Sequence, residues 1–140
     1  MIGVDGSFLK RSVGGVLLIA VGLDANNSIY PIAYAVTEGD NKESWAWFFK
    51  LLKEDLKIER NFEWIIMNDK QKRLIQACDN VFSNAAHRFC MKHMHGNFSS
   101  AGFKGEALRR ALWAAVKATT PAEFASKIKE MASIDIYAAK

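Results

Sequence analysis

The spacing of hydrophobic residues changes along the chain, and this change predicts where strands give way to helices. MIGVDGSF is a short strand-like segment, VGGVLLIAVGL (residues 13–23) is rich in β-branched side chains, and SIYPIAYAV (residues 28–36) resumes strand character. The turn residues DANN join the last two segments as a hairpin. They therefore predict three antiparallel strands, and Pro31 predicts that the third strand lies at an edge or carries a bulge.

After Gly39 the apolar residues recur at helical spacing. Asp40 and Glu43 have the spacing of a capping box, and SWAWFFKLLKEDL places its aromatic and leucine side chains on one helical face. The apolar run WIIM (residues 64–67) is too short for a helix and predicts a buried strand. KQKRLIQACDNVF then predicts a second helix.

The last third of the chain predicts one more strand and then helices. HRFCMK (residues 87–92) has strand alternation, and the segment from Gly105 onward is helical, with a restart at Thr120 and Pro121. The order β-β-β-α-β-α-β followed by helices predicts an α/β fold, with a mixed sheet of the order found in ribonuclease H-like folds. We assign residues 1–140 to one domain. Because the chain stops within a helical pattern, we expect that domain to be incomplete.

Two aspartates stand at the ends of predicted strands. Asp5 closes the first strand, which we expect to end at Gly6, and Asp69 follows the fourth. If these strands are parallel neighbours, the two carboxylates face each other at one sheet edge, roughly 5 Å apart. Anions that close repel unless a cation lies between them, and oxygen ligands suit Mg²⁺ or Mn²⁺. Helix capping by Asp69 and a turn at Asp5 are the alternative interpretations.

The net charge of +4 and the pI of about 9.1 suit a polyanionic partner. Lys70, Lys72 and Arg73 directly follow Asp69 and could neutralise phosphates there. The stretch from His87 to Arg110 contains five Lys or Arg residues and only one acidic residue, Glu106. From this stretch we assign Arg88 and Lys92 to DNA contacts, whereas Arg109 and Arg110 equally fit a solvated helix face.

The two cysteines, Cys78 and Cys90, and the lack of a secretory signal pattern favour a reducing compartment. Cys90 and His93 form a Cys-x-x-His pair, which could contribute to a zinc site, although a core cysteine is the commoner reason for such a pattern. The apolar run at residues 16–21 is too short to cross a bilayer, so we expect no membrane partner.

Three segments together resemble the transposase domain of plant Mutator-like elements, the MULE family. They are the block that begins DGSFLKRSVGGVLL, then IIMNDKQKRLIQAC, and then AAHRFCMKHMHGNF, and the resemblance covers residues 2 to about 131. The family's serine before the second aspartate is Asn68 here, and its glycine after Gln-Lys is Arg73.

The resemblance implies an Asp-Asp-Glu transposase in which Asp5 and Asp69 hold Mg²⁺ or Mn²⁺, and it gives Cys90 and His93 the places of a family motif. It also implies DNA as the partner, a nuclear location and a homo-oligomer with full-length transposase. No segment matches the one that carries the family's glutamate. The terminal helices carry Glu106, Glu123 and Glu130, but none has matching context, so we assign the role to none of them.

We therefore expect the isolated chain to be inactive in strand transfer. A transposase-derived regulator that binds DNA without catalysis is the first alternative. A cellular ribonuclease H-like nuclease, which would need its own further carboxylates on the terminal helices, is the second.

Overall fold

A five-stranded mixed sheet and five α-helices make up the computed structural model, which describes residues 1–10 and 14–139. Val13, in the predicted second strand, lies outside these residues. In chain order the elements are β1 (Ile2–Phe8), β2 (Val16–Leu23), β3 (Ile29–Thr37), α1 (Lys42–Asp55), β4 (Ile65–Asn68), α2 (Lys72–Val81), β5 (Ala86–Phe89), α3 (Met91–Ser100), α4 (Glu106–Val116) and α5 (Pro121–Ile134). The chain forms two units, Met1–Cys90 and Met91–Lys140. The assignment of both to one incomplete domain stays a prediction.

The sheet of the first unit has the strand order β3-β2-β1-β4-β5. β1, β2 and β3 form an antiparallel meander, whereas β4 pairs parallel to both β1 and β5. β1 lies at the centre of the sheet, and the parallel pairing of the first and fourth strands, on which the placement of the two aspartates depended, is confirmed. The α/β architecture is consistent with a ribonuclease H-like fold.

Pro31 satisfies both of the expectations that its sequence position raised. Its strand, β3, is at one edge of the sheet. The β2–β3 register also shifts there, since Ala20 pairs with Ala33 while Val21 pairs with Pro31. A residue without a backbone N–H therefore lies where the ladder is already irregular.

The core of the first unit lies between one face of the sheet and the two helices α1 and α2. The buried sheet residues are Ile2, Val4, Val16, Leu18, Ala20 and Ile66, and α1 adds Trp45, Phe48, Phe49 and Leu52. The rings of Phe49 and Phe82 meet edge to face, with centroids 5.6 Å apart, so an aromatic contact joins α1 to the end of α2. Full burial of each such side chain stabilises the fold by roughly 1.5–3 kcal/mol.

The N-terminus of α1 differs from the predicted capping box. The cap is Asn41, whose side chain accepts a 2.8 Å hydrogen bond from the Ser44 N–H. Asp40 instead accepts a hydrogen bond from the indole of Trp45. The sequence could not distinguish two adjacent capping residues, and the position of the aromatic side chain decided between them.

The transition from β5 to α3 is the main error of the sequence-based prediction. HRFCMK was predicted to be a strand throughout, but β5 ends at Phe89 and Met91 already begins α3. β4 ends at Asn68, and the carbonyl of this residue accepts the Cys90 N–H at 2.8 Å. Because β4 provides no further ladder partner, the chain leaves the sheet there.

The second unit contains the predicted C-terminal helices. α4 and α5 pack through Leu108, Ala111, Leu112, Ala115 and Met131. Thr120 caps α5 and Pro121 occupies its first turn, as predicted. None of the helices in the described residues is long and apolar enough to span a membrane.

Candidate functional site

Asp5 lies inside β1, not at its end. β1 continues to Phe8 because β2 pairs with it along its whole length, and this pairing places Asp5 opposite Ile19. The Asp5 carboxylate is exposed, and its Oδ1 accepts the Gly6 N–H at 2.8 Å. The expected strand end at Gly6 is therefore wrong, and so is a turn at Asp5.

The register of the parallel β1–β4 pair relates Asp69 to Asp5 by extension. In the β1–β4 ladder residue 2 pairs with 66 and residue 3 with 67, an offset of 64 positions that also relates residue 5 to residue 69. Neighbouring strands lie about 4.8 Å apart. The observed pairs end at Gly3 and Met67, and the same offset continued two residues further relates Asp5 to Asp69, just after the end of β4.

Asp69 does not cap α2. The residue at the cap position is Gln71, which makes no side-chain capping bond, while Oδ1 of Asp69 accepts the Lys70 N–H at 2.6 Å. Both aspartates therefore bond the backbone N–H of the next residue. The helix-cap interpretation of Asp69 is therefore wrong.

A third carboxylate lies between the first turns of α1 and α2. Oδ1 of Asp40 accepts the Trp45 indole N–H at 2.8 Å, and Oδ2 lies 3.4 Å from a guanidinium nitrogen of Arg73. The Asp40 side chain is only 9% exposed, whereas that of Arg73 is 58% exposed. Asp40 thus pairs with Arg73, which lies four residues after Asp69 in the chain.

Asn68 places an amide in the core directly before Asp69. The residue is fully buried, and neither its Oδ1 nor its Nδ2 has a hydrogen-bond partner within the described residues. An unsatisfied buried amide costs free energy, and a buried water is the usual way to satisfy one. This site is where the sequence departs from the serine of the resembled family.

The predicted DNA-binding cations differ in their surroundings. Lys70 and Lys72 are exposed beside Asp69, and Arg73 is paired with Asp40 as described above. Arg88 is exposed in β5, where its guanidinium donates to the carbonyl of His87 at 3.0 Å. Lys92 is exposed on α3 in the second unit. Lys70 and Lys72 are therefore exposed cations that directly follow Asp69 in the chain.

Cys90 and His93 belong to different units. Cys90 is half-buried at the end of the first unit, and His93 is half-buried on α3. Within the described residues, no three His, Cys, Asp or Glu side chains are grouped as metal ligands. A structural zinc site needs four ligands, and a role of Cys90 and His93 in zinc binding stays a prediction.

The donor set of Asp5 and Asp69 fits Mg²⁺. This ion is usually bound through one or two carboxylates, with waters and substrate phosphates completing its octahedral shell. Two carboxylates at one strand level meet that requirement without a third protein ligand. The bond that each Oδ1 accepts from the next backbone N–H also orients both groups.

A comparison with protein families identifies the larger group. The model described as the MULE transposase domain matches residues 1–97, more than two thirds of the chain. The chain belongs to the MULE transposase family. No curated protein matches it. The matched region of this transposase domain includes Asp5, Asp69, Cys90 and His93.

Two residues near Asp69 and Arg73 in this MULE transposase domain were not assigned a role at the candidate site from the sequence. Asp40 was predicted to be a helix cap, and its ion pair with Arg73 joins residues 33 positions apart, for which no local pattern exists. Asn68 was noted only as a departure from the family, and it adjoins Asp69 in an apolar strand. A polar residue at a buried strand position was the one available signal that this side chain needed a special environment.

Proposed function

We propose that this chain contributes the first two carboxylates of an Asp-Asp-Glu DNA transposase. The observation that carries the proposal is the parallel β1–β4 register, which relates Asp5 to Asp69 by the same offset as the observed pairs. Family membership supports a transposase-related function and an interaction with DNA.

Asp5 and Asp69 would hold Mg²⁺ or Mn²⁺ at the level where β4 ends. When bound, such ions activate water or a 3′-hydroxyl for in-line attack on a phosphodiester. Both carboxylates are oriented by backbone N–H groups, so little side-chain freedom is lost when a ligand binds. Lys70 and Lys72 would offset the charge of phosphates beside the pair. We retain Arg88 and Lys92 as proposed DNA contacts.

Metal binding tests the assignment directly. We expect Mn²⁺, followed by water-proton relaxation, to bind the wild-type chain and to bind Asp5→Asn and Asp69→Asn at least tenfold more weakly. The matched control is Asp55→Asn, because Asp55 is an exposed aspartate at the other end of α1. Equal binding by all four proteins would rule out the aspartate pair as a metal site.

The glutamate of the Asp-Asp-Glu triad decides whether the isolated chain can catalyse strand transfer. The sequence has no segment that matches the one carrying the family's glutamate, and this supports a chain that does not catalyse strand transfer alone. We expect no strand transfer by the isolated chain, and Mg²⁺-dependent cleavage that Asp69→Asn abolishes would contradict this.

A transposase-derived regulator is the alternative function. It would bind DNA in the absence of Mg²⁺ and would be unaffected by Asp5→Asn, so DNA binding with and without EDTA separates the two. The plant type, a nuclear location and assembly with full-length transposase are proposals based on the resemblance.

A further inference from the structure

An exposed tryptophan on α4 lies in a groove lined with cations. Arg109, Arg110, Trp113, Ala114 and Lys117 enclose a shallow groove of about 410 Å³. The side of α4 that carries Leu108 and Leu112 packs in the core of the second unit, whereas Trp113 is 40% exposed. The helix thus has an apolar core face and a separate aromatic face that carries positive charge.

Helical spacing places the cations around the indole. Arg109 is four residues before Trp113 and Lys117 is four residues after it, so both are neighbours of the ring on the helix surface. Glu106 pairs with Arg109 at 3.3 Å and with Arg110 at 2.9 Å. The Glu106 carboxylate thereby positions two guanidinium groups. Together, Glu106, Arg109, Arg110 and Lys117 have a net charge of +2.

We propose that this groove binds single-stranded DNA, with an unpaired base stacked on Trp113 and the backbone phosphates held by Arg109, Arg110 and Lys117. A positively charged groove with an aromatic platform is the combination that single-strand binding requires, since every base has a face to stack and every nucleotide a phosphate to neutralise. A duplex keeps its bases stacked on one another and offers only its phosphates. The surface lies outside the family match at residues 1–97 and does not depend on the aspartate pair.

A second groove of the chain shows why the tryptophan matters. Lys50, Lys53 and Lys57 contribute to a groove of about 490 Å³ at the C-terminal end of α1, but Glu54 and Glu59 also line it, and it has no aromatic residue. The ammonium group of Lys53 is already bonded to the carbonyl of Val81 at 3.1 Å. That surface can attract a polyanion but cannot distinguish unpaired bases.

The test measures binding of a fluorescent oligothymidine to the full chain in EDTA, by anisotropy. We expect Trp113→Ala to weaken binding by about tenfold, as the loss of one stacked base does. Trp47→Ala is the matched control, because Trp47 is 48% exposed on α1 but has Glu43 and Leu51 as its neighbours four residues away. Trp113→Phe, which keeps an aromatic face, should retain most of the affinity.

The salt dependence tests the phosphate contacts separately. Arg110→Gln should reduce the slope of log affinity against log salt by about 0.7, the value for one single-strand phosphate, whereas Lys129→Gln on α5 should not change it. Circular dichroism checks that each variant is folded. Equal losses for Trp113→Ala and Trp47→Ala, or an equal dependence of duplex binding on Trp113, would overturn the proposal. Because binding is measured in EDTA, it does not depend on a metal held by Asp5 and Asp69, so failure of the metal site would leave this result intact.

Discussion

The indole N–H of Trp45 donates a 2.8 Å hydrogen bond to Oδ1 of Asp40, five residues earlier in the chain. Trp45 is 1% exposed, and the benzene edge of its indole would lie 3.2 Å from a Cβ at Gly6. The other oxygen of Asp40 pairs with Arg73. The nearly buried carboxylate of Asp40 therefore connects the start of α1 with the start of α2. The start of α2 follows Asp69 in the chain.

We expect Asp40→Ala to lower the free energy of unfolding by about 1–3 kcal/mol, because it leaves the buried indole N–H of Trp45 without an acceptor. Asp40→Asn should cost less, since its amide oxygen can still accept that bond while the ion pair with Arg73 is lost. Urea unfolding followed by tryptophan fluorescence measures both values. Equal losses for the two variants would show that the charge, and not the hydrogen bond, carries the effect.

The sheet was predictable because its signals are local. β-branched runs, the turn residues at 24–27 and Pro31 specify strands and their connections, and the chain order of the elements fixes a parallel neighbour for β1. That order put Asp5 and Asp69 on neighbouring strands, but the offset of 64 positions between the strands comes from the structure. The end of β1 was not predictable, because it depends on pairing with β2.

The errors arose where tertiary partners decide. Met91 and Lys92 have strand-like neighbours, but β4 ends at Asn68 and leaves them nothing to pair with, so they join α3. Asp40 and Asn41 are both good capping residues, and only the position of the Trp45 indole selects Asn41 as the cap. These outcomes depend on residues distant in sequence or on side-chain packing, which periodicity does not report.

Lys57→Gly should stabilise the protein. Lys57 lies just after the end of α1 and has φ 51°. The Lys57 N–H donates to the Glu54 carbonyl and the Ile58 N–H donates to the Lys53 carbonyl, both at 3.0 Å. This is the position that favours glycine, because a Cβ is strained in the left-handed region. After the greater entropy of unfolded glycine is subtracted, we expect a gain of about 0.5–1 kcal/mol in the unfolding free energy.

The control for this prediction is Lys50→Gly, in the exposed interior of the same helix. There glycine should cost about 1 kcal/mol. Chemical denaturation of both variants should therefore give shifts of opposite sign. A loss of stability in Lys57→Gly would contradict the strain argument.

Cys78 should be inert in the folded protein, and Cys90 should react first. Burial, reinforced by the nearby carboxylate of Asp79, raises the pKa of the Cys78 thiol from 9.0 to about 12. At pH 8 almost none of it is thiolate, the form that reacts. We expect a chromogenic disulfide reagent to modify one thiol in native protein and two in urea, and Cys90→Ser to abolish the native reaction. Rapid native labelling of Cys90→Ser would contradict this assignment.

The Cys78 thiol should also make the free energy of unfolding depend on pH in the alkaline range. The folded pKa lies above the unfolded value, so the unfolded chain loses its proton first as pH rises. The contribution of Cys78 to stability is therefore complete below pH 9 and decreases between pH 9 and about 12. Cys78→Ala should remove this part of the pH dependence, as measured by urea midpoints at pH 8 and 10.

Thr120 should stabilise α5 through a reciprocal cap. Its hydroxyl oxygen accepts the Glu123 N–H at 3.1 Å, and the carboxylate of Glu123 accepts the Thr119 N–H at 2.9 Å. Thr120→Ala should cost about 1 kcal/mol of unfolding free energy, and Thr120→Ser should be nearly neutral. Ser126→Ala, an exposed change in the interior of α5, should not destabilise the helix, so a comparable loss there would contradict a capping effect.

The cap should also weaken in acid. Hydrogen bonds from the backbone and side chain of Thr119 lower the pKa of Glu123 below its ordinary value of 4.5. A carboxylate whose folded pKa is depressed contributes stability that is present above the unfolded pKa and is lost as pH falls through the folded value. We therefore expect the Glu123→Gln variant and the wild type to differ in stability at pH 6 and to converge progressively as pH falls below 4.5, measured by thermal unfolding at each pH. A difference that stayed constant from pH 6 to pH 3 would show that the Glu123 charge does not contribute to the cap.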